Sequence, residues 1–191
     1  MNKLILASTS PRRQELLNQV RIPFTSKNPN VDESQITTND PIEKVKQLAM
    51  LKAENVPIDH DNEVILAADT VVAYKQTIFE KPDNREQAHE MISELSGDLH
   101  DVFTGVMIRS YKEKTVFAEH TQVEFWPLKA NEIESYVSSM DPYGKAGAYG
   151  IQSLGALLVK QINGDYYNVM GLPISRVVRE LRKFSIYPEL D

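Results

Sequence analysis

The stretch Leu4-Ile5-Leu6-Ala7-Ser8-Thr9-Ser10-Pro11-Arg12-Arg13 combines a strand, a loop and a helix start near the beginning of the chain. Its apolar part predicts a short strand that begins at Lys3 and ends at Ala7. Ser10 fits the N-cap of a helix, and Pro11 fits the first helical position, where a backbone N–H is not needed. This order of strand, loop and helix indicates an α/β fold.

The loop in this stretch is predicted to bind an anion such as a phosphate. It brings the hydroxyls of Ser8 and Ser10 and the guanidinium groups of Arg12 and Arg13 to a helix N-terminus, where free backbone N–H groups and the helix dipole favour negative charge. The loop is not a Walker P-loop, because the glycines and the Gly-Lys-Ser/Thr ending are absent. An ordinary helix start with solvated arginines remains the alternative.

Strand and helix signals alternate along the rest of the chain. Asp40-Pro41-Ile42-Glu43 is a capping signature that predicts a helix ending near Asn55. A second helix is expected between Asn84 and the glycine stop at Ser96-Gly97. Further predicted elements are an extended segment at residues 24–31, strands at 101–110, 115–125 and 156–162, and helices at 131–137 and 173–184. This succession predicts an α/β protein with a mixed sheet.

Composition limits the classes of function. The chain has 191 residues and a net charge of −6, which suits a single domain spanning residues 1–191 and built from two interleaved lobes. Net acidity argues against a nucleic-acid partner, and the absence of cysteine excludes disulfides and thiolate catalysis. With no signal peptide and no apolar stretch near ~18 residues, a cytoplasmic protein without a membrane partner is expected. The sequence does not determine the oligomeric state and is compatible with a homodimer.

A carboxylate follows the most apolar segment of the chain. Residues 64–68 form a continuous apolar run, typical of a strand buried on both faces, and this run is predicted to end at Asp69-Thr70 and to resume over residues 71–74. A buried carboxylate needs a partner, and ligands gather at strand ends in α/β sheets. Asp69 is therefore a candidate general base or metal ligand, with a turn cap or a lysine partner as the alternative.

Three lysines and a further acid complete the set of candidates. Lys52 and Lys81 are candidate phosphate ligands, and so is Lys145, which lies in a glycine-rich loop at residues 144–150. Glu33 could join Asp69, phosphate oxygens and waters around an octahedral Mg²⁺. Each of these residues, taken alone, is typical of a solvated surface charge. The four histidines show no metal-ligand spacing, and no nucleophilic triad is indicated.

Seven segments, taken in order, resemble the Maf family of septum-formation-type nucleotide pyrophosphatases. Each segment is weak alone, but the ordered set is specific to that family. The segments are Leu6-Ala7-Ser8-Thr9-Ser10-Pro11-Arg12-Arg13, Ala67-Ala68-Asp69-Thr70-Val71-Val72, Lys81-Pro82, Leu95-Ser96-Gly97, His100-Asp101-Val102-Phe103-Thr104-Gly105, Lys145-Ala146-Gly147-Ala148-Tyr149-Gly150-Ile151-Gln152 and Val169-Met170-Gly171-Leu172-Pro173.

The resemblance implies an inosine-triphosphatase-like fold, with an elongated curved mixed sheet, flanking helices and two lobes around a cleft. It also implies hydrolysis of nucleoside triphosphates to the monophosphate and pyrophosphate with Mg²⁺ or Mn²⁺. Asp69 matches the family's proton acceptor, and Arg12, Thr70 and Gln152 match its specificity positions. Gln152 resembles the branch that acts on dTTP and UTP. Gly144 departs from the family, since many relatives carry Asp there.

The expected chemistry divides the work among these residues. Arg12, Lys52 and Lys81 would hold the phosphates, and Ser8 and Ser10 would add donors; Glu33 and Asp69 would hold the metal. Three alternatives remain: a nucleotide-binding regulator that no longer cleaves, a phosphatase or kinase of another family, and a structural role in cell division. The missing Walker and kinase motifs count against the second.

Overall fold

A computed structural model describes residues 2–190 and shows helices and strands alternating along the chain. The strands are β1 (Lys3–Ala7), β2 (Phe24–Lys27), β3 (Glu63–Tyr74), β4 (Thr77–Phe79), β5 (Leu99–Arg109), β6 (Lys114–Phe125) and β7 (Val159–Gly164). The α-helices are α1 (Pro11–Gln19), α2 (Pro41–Asn55), α3 (Arg85–Leu95), α4 (Ala130–Val137), α5 (Tyr166–Met170) and α6 (Ile174–Leu181). Short 3₁₀ helices lie at Glu33–Gln35, Ala146–Ala148, Leu154–Leu157 and Arg182–Phe184.

The seven strands form one mixed sheet, as the sequence predicts. Its order is β2-β1-β3-β5-β6-β7, and β4 pairs with β3 beside this path. β1 is parallel to both neighbours, so that Leu4 lies between Phe24 of β2 and Val64 of β3. The β3–β4 and β6–β7 pairs are antiparallel. The α/β class and the mixed sheet with helices are thus confirmed.

Helix α2 begins and ends as the sequence predicts. The Asp40 carboxylate caps it by accepting hydrogen bonds from the backbone N–H groups of Ile42 at 2.9 Å and Glu43 at 3.0 Å. It packs tightly on the sheet at Gly105 of β5, where any Cβ would clash with the backbone of Val45. A side chain at position 105 would therefore push α2 off the sheet.

The described chain divides into two compact units. The first contains the chain up to Asp69, Thr104–Glu119 and the part from Gly171 onward, and its core packs α2 on β1, β3 and β5 through residues such as Ile5, Ala49, Ile65 and Met107. The second contains Thr70–Phe103 and His120–Met170. Its core is formed by α3, α4 and the strands around Phe125.

Three sequence-based expectations are wrong in detail. β3 does not end at Asp69 but runs on to Tyr74, because Val71, Val72 and Tyr74 stay buried after the polar pair. The segment that begins at Ala156 starts as a 3₁₀ turn, and β7 begins only at Val159. The extended segment predicted at 24–31 is a strand only over Phe24–Lys27.

None of the helices within residues 2–190 is long and apolar enough to cross a membrane.

Candidate active site

The loop between β1 and α1 is organised around the hydroxyl of Ser8. Ser8 is 6% exposed, and its Oγ accepts hydrogen bonds from the backbone N–H of Ser10 at 3.1 Å and from Nη1 of Arg13 at 3.4 Å. Ser10 occupies the predicted N-cap position of α1, but its side chain makes no capping bond to any described residue. Ser8 therefore shapes the loop, and the N-terminal turn of α1 keeps N–H groups without a side-chain cap.

Arg13 links this loop to a distant part of the chain. Its Nε donates a 2.8 Å hydrogen bond to the carbonyl oxygen of Gly171, which lies 158 residues away in sequence. Burial lowers the pKa of the Arg13 guanidinium, as does the charge of Arg12, whereas the carboxylates of Asp69 and Glu33 raise it. The mutual influence of these charges places them in one electrostatic environment. Arginine remains protonated in such a setting.

Lys52 joins the two predicted carboxylates. Its ammonium group forms a short ion pair with Oδ1 of Asp69 and a second one with Oε1 of Glu33 at 2.9 Å. The side chains of Lys52 and Asp69 are 9% and 11% exposed, while that of Glu33 is 45% exposed. One cation thus holds a buried and a half-exposed carboxylate together.

The position of Lys52 follows from the apolar stripe of α2. Val45, Leu48 and Ala49 are buried on one face of the helix, and Lys52 follows at the same helical spacing. Its aliphatic stem is therefore buried, and its charged end needs a partner, because an unpaired buried ammonium is very costly. Asp69, in the middle of β3, supplies that partner.

The arrangement suits a polyanion accompanied by a divalent cation. Arg12, Arg13 and Lys52 provide three positive charges, against two negative charges from Glu33 and Asp69. No group of three or more acidic, histidine or cysteine side chains that could hold a metal ion occurs within residues 2–190. Two carboxylates that already share one cation nevertheless fit Mg²⁺, which is often held by one or two carboxylates with substrate phosphates and waters as its other ligands.

The second compact unit contains four further candidates. Lys81 is exposed and makes no hydrogen bond or ion pair with another described residue, whereas Thr70 is half-buried next to Asp69 in β3. Gln152 is half-buried, and its Oε1 is a buried oxygen that accepts no hydrogen bond from residues 2–190. Lys145 is 13% exposed and contacts the backbone oxygen and, at 3.3 Å, the Oδ1 of Asp141.

Asp141 is a residue that the sequence does not identify. Although desolvation is the largest influence on its pKa and raises it, hydrogen bonds from Ser153, Tyr136 and Gly155 and the charge of Lys145 together lower that pKa. No spacing pattern predicts this cluster, because the donors come from separate turns. Only the three-residue distance between Asp141 and the departure at Gly144 marks the region in the sequence.

A buried histidine lies beneath the glycine-rich segment. His100 is 1% exposed, its Nε2 lies 2.8 Å from the hydroxyl of Tyr149, and its ring meets those of Tyr149 and Phe125 edge-on. Burial lowers the pKa of His100 to about 4, so the imidazole is neutral at pH 7. Its Nδ1 is buried and finds no partner among the described residues. His100 is therefore part of the core.

Fold and site together define an α/β protein with a buried lysine–carboxylate group beside an arginine-rich helix start. The chain matches the family described as "Maf-like protein" over residues 3–184 and belongs to that family. The family resemblance seen in the sequence is thereby confirmed.

Curated relatives are similar over nearly their whole length. The dTTP/UTP pyrophosphatase of Halalkalibacterium halodurans is 50% identical over 182 residues, covering 95% of this chain and 96% of the relative. Proteins of the same name from Bacillus cereus and Bacillus mycoides are 49% and 50% identical, with 97% of each chain covered. Among solved structures, the Ham1 protein of Staphylococcus aureus is similar with a TM-score of 0.49 and 13% identity over 83% of this chain and 88% of that one.

Proposed function

We propose that this protein is a nucleoside triphosphate pyrophosphatase that hydrolyses dTTP and UTP to the monophosphate and pyrophosphate. The observation that carries the proposal is the buried ion pair of Asp69 with Lys52, shared with Glu33, in the electrostatic environment of Arg12 and Arg13. The sequence is 50% and 49% identical to two proteins named dTTP/UTP pyrophosphatase, which supports the same activity. This site offers the charges that such a substrate requires.

Hydrolysis of a triphosphate is limited by charge rather than by covalent chemistry. Water must approach a phosphorus surrounded by negative oxygens, so positioning and charge neutralisation lower the barrier. Arg12, Lys52 and Lys81 are proposed to hold the phosphates. Ser8 and Ser10 stand at the turn that presents the backbone N–H groups of α1, whose N-terminus favours anions. Arg13 holds this turn to Gly171 and adds positive charge.

Asp69 is proposed as the general base. Its carboxylate would orient the attacking water and accept its proton as the new P–O bond forms and the anhydride bond breaks. The ion pair with Lys52 fixes the orientation of this carboxylate, since both side chains are almost fully buried. A base held in one orientation avoids the reorganisation that a mobile side chain would need.

Glu33 and Asp69 are the residues that would hold a divalent metal, Mg²⁺ or Mn²⁺. Such an ion, when bound, neutralises charge on the phosphate oxygens. Lys52 keeps the two carboxylates together without it, because it contacts both. Carboxylate oxygens of this kind are the ligands that hard cations prefer.

Gln152 is proposed to read the base, with Arg12 and Thr70 as further specificity positions by resemblance to the family. An amide offers one donor and one acceptor side, which complements the O4 and N3–H edge of thymine or uracil. The buried Oε1 of Gln152 still lacks a donor among the described residues and would accept the N3–H. Thymine and uracil share this edge, so dTTP and UTP are both expected substrates.

A panel of nucleoside triphosphates, assayed with Mg²⁺ and with Mn²⁺, tests the proposal. We expect dTTP and UTP to give the monophosphate and pyrophosphate, resolved by anion-exchange chromatography. Hydrolysis in ¹⁸O-water then identifies the attacked phosphorus, because the label enters either the monophosphate or the pyrophosphate. Release of inorganic phosphate with a nucleoside diphosphate would contradict the proposal. Binding of dTTP without any turnover would instead indicate a non-catalytic regulator.

A further inference from the structure

Asp141 collects hydrogen bonds from two sides of the glycine-rich segment. Its Oδ2 accepts from the hydroxyl of Tyr136 at 3.0 Å, from Oγ of Ser153 at 3.0 Å and from the backbone N–H of Gly155 at 3.1 Å. The Nζ of Lys145 contacts Oδ1 at 3.3 Å and also binds the backbone oxygen of Asp141. One carboxylate of 11% exposure thus joins a helix, the beginning of the segment and its end.

These contacts close the segment 145–155 into a loop fixed at both ends. Lys145 stands at its start, and Ser153 and Gly155 stand at its end. The end of the segment also packs directly on its middle, since a Cβ at Gly155 would lie 2.5 Å from the backbone oxygen of Gly150. The Oγ of Ser153 also lies 3.1 Å from the Gly150 oxygen, so its one proton is shared between this oxygen and Asp141. The backbone of this loop therefore has little freedom to move while Asp141 holds it.

Gln152 lies inside this closed loop, immediately before Ser153. Its buried Oε1 has no donor from residues 2–190, which is the state expected of a group that waits for a ligand. A buried acceptor gives selectivity only if it is held where the ligand's donor arrives, because a misplaced one stays unpaired. The direction of Gln152 is set by the backbone that Asp141 fixes.

We propose that Asp141 is the positioning residue for base recognition: it fixes the Ser153–Gly155 turn and thereby orients Gln152, without touching the substrate itself. Lys145 acts in the same assembly, as the cation that neutralises Asp141, and not as a ligand of the phosphates. This inference rests on the proposed function, since it concerns how a thymine or uracil is distinguished from other bases.

The test measures binding, which does not depend on turnover. The probes are the uncleavable α,β-methylene analogues of UTP and ATP, titrated by calorimetry in the presence of Mg²⁺. The variants are Asp141→Asn, Lys145→Met and, as a matched control, Glu124→Gln, which removes an exposed ion pair with Lys160 in the same compact unit. Ser153→Ala removes one hydrogen bond to Asp141, together with the contact to the Gly150 oxygen, and serves if Asp141→Asn does not fold.

We expect Asp141→Asn to weaken binding of the UTP analogue about tenfold and that of the ATP analogue much less. Lys145→Met should also reduce the ratio of the affinity for the UTP analogue to that for the ATP analogue, and Glu124→Gln should leave this ratio unchanged. An unchanged ratio in folded Asp141→Asn, or in Ser153→Ala where the first variant does not fold, overturns the inference. If Lys145→Met weakened binding of both analogues equally, Lys145 would be a ligand of the phosphates and not part of base recognition. A wild-type protein that prefers the UTP analogue but does not cleave UTP would contradict the proposed function alone.

Discussion

Lys52 of α2 and Asp69 of β3 form a buried ion pair although 17 residues separate them in sequence. The same ammonium contacts Glu33 at 2.9 Å, so one lysine organises both carboxylates that the sequence suggests for chemistry. Lys52 therefore has a structural role in addition to its proposed role as a phosphate ligand. It fixes the positions of the proposed base and the second proposed metal ligand before any substrate binds.

The first prediction concerns Asp69. Asp69→Asn keeps the size of the side chain and removes the proposed base, so turnover of dTTP should fall by at least ~10²-fold. Folding should persist, because the amide oxygen can still accept a hydrogen bond from Lys52. Steady-state kinetics and circular dichroism check both statements. Asp59→Asn, which removes an exposed pair with Lys27, is the control, and near-normal turnover in folded Asp69→Asn would exclude Asp69 as the base.

The second prediction concerns the shared ammonium. Lys52→Met leaves two carboxylates without their common partner, which should lower the free energy of unfolding by about 3 kcal/mol, at the lower end for a broken buried pair because Glu33 is half-exposed. Mg²⁺ should then raise the melting temperature of the variant more than that of the wild type, since a metal ion can replace the lost charge.

Lys46→Met is the matched control for this experiment, because Lys46 lies on the same helix and its ammonium group forms an ion pair only with Glu43, at 3.8 Å, within residues 2–190. We expect its melting temperature to respond to Mg²⁺ as the wild type does. An equal response in Lys52→Met would mean that Glu33 and Asp69 do not hold the metal.

The third prediction distinguishes Arg13 from Lys81, which the sequence alone predicts to have the same role in substrate binding. Arg13 binds the Gly171 oxygen and Ser8, so Arg13→Ala should cost about 1.5–3 kcal/mol of stability as well as activity. Lys81 is exposed and makes no hydrogen bond or ion pair with another described residue, so Lys81→Ala should raise KM for the triphosphate with stability within about 0.5 kcal/mol of the wild type. Urea unfolding and kinetics on the same samples distinguish them. Equal stability losses would contradict this division.

The fourth prediction concerns base selectivity. Gln152→Glu replaces an amide by an acceptor-only carboxylate, which suits the N1–H and amino edge of guanine better than thymine. The preference for dTTP and UTP over GTP should fall roughly tenfold, measured as the ratio of kcat/KM values. An unchanged ratio would mean that Gln152 serves the loop backbone and leaves base choice to other residues.

The fifth prediction concerns stability against pH. Burial lowers the pKa of His100 from 6.5 to about 4, so between these values the unfolded chain binds a proton that the folded protein does not. The stability from a neutral His100 is complete above pH 6.5 and falls as the pH decreases to about 4, by up to about 3 kcal/mol. Urea unfolding from pH 7 to 4 should show this loss in the wild type and a smaller one in His100→Gln. If the free energy of unfolding depended equally on pH in the wild type and in His100→Gln, this prediction would be wrong.

Local sequence patterns were sufficient to predict those features that depend on interactions between neighbouring residues. The Asp40-Pro41 signature gave the start of α2, because capping involves only neighbouring backbone N–H groups. The apolar segment before Ser8 gave β1, and the ordered motifs gave the family. The first two features depend on residues within a few positions of each other, and the third needs only the order of short motifs along the chain. All three are therefore readable without knowledge of the fold.

Tertiary structure decided the partners of the charged groups. The sequence could not show that Lys52 joins Glu33 to Asp69, because a lysine on an apolar helix stripe looks the same whether its end reaches water or a buried carboxylate. The polar pair Asp69-Thr70 looked like the end of a strand, although β3 continues through it to Tyr74. The sequence could not show this, because burial of the residues before and after the pair depends on which elements cover the sheet. The sequence gives Asp141 no role beyond a place three residues before Gly144, because its donors converge only when separate turns fold onto one another. The sequence thus determined the elements and the family, while long-range packing determined which charge meets which.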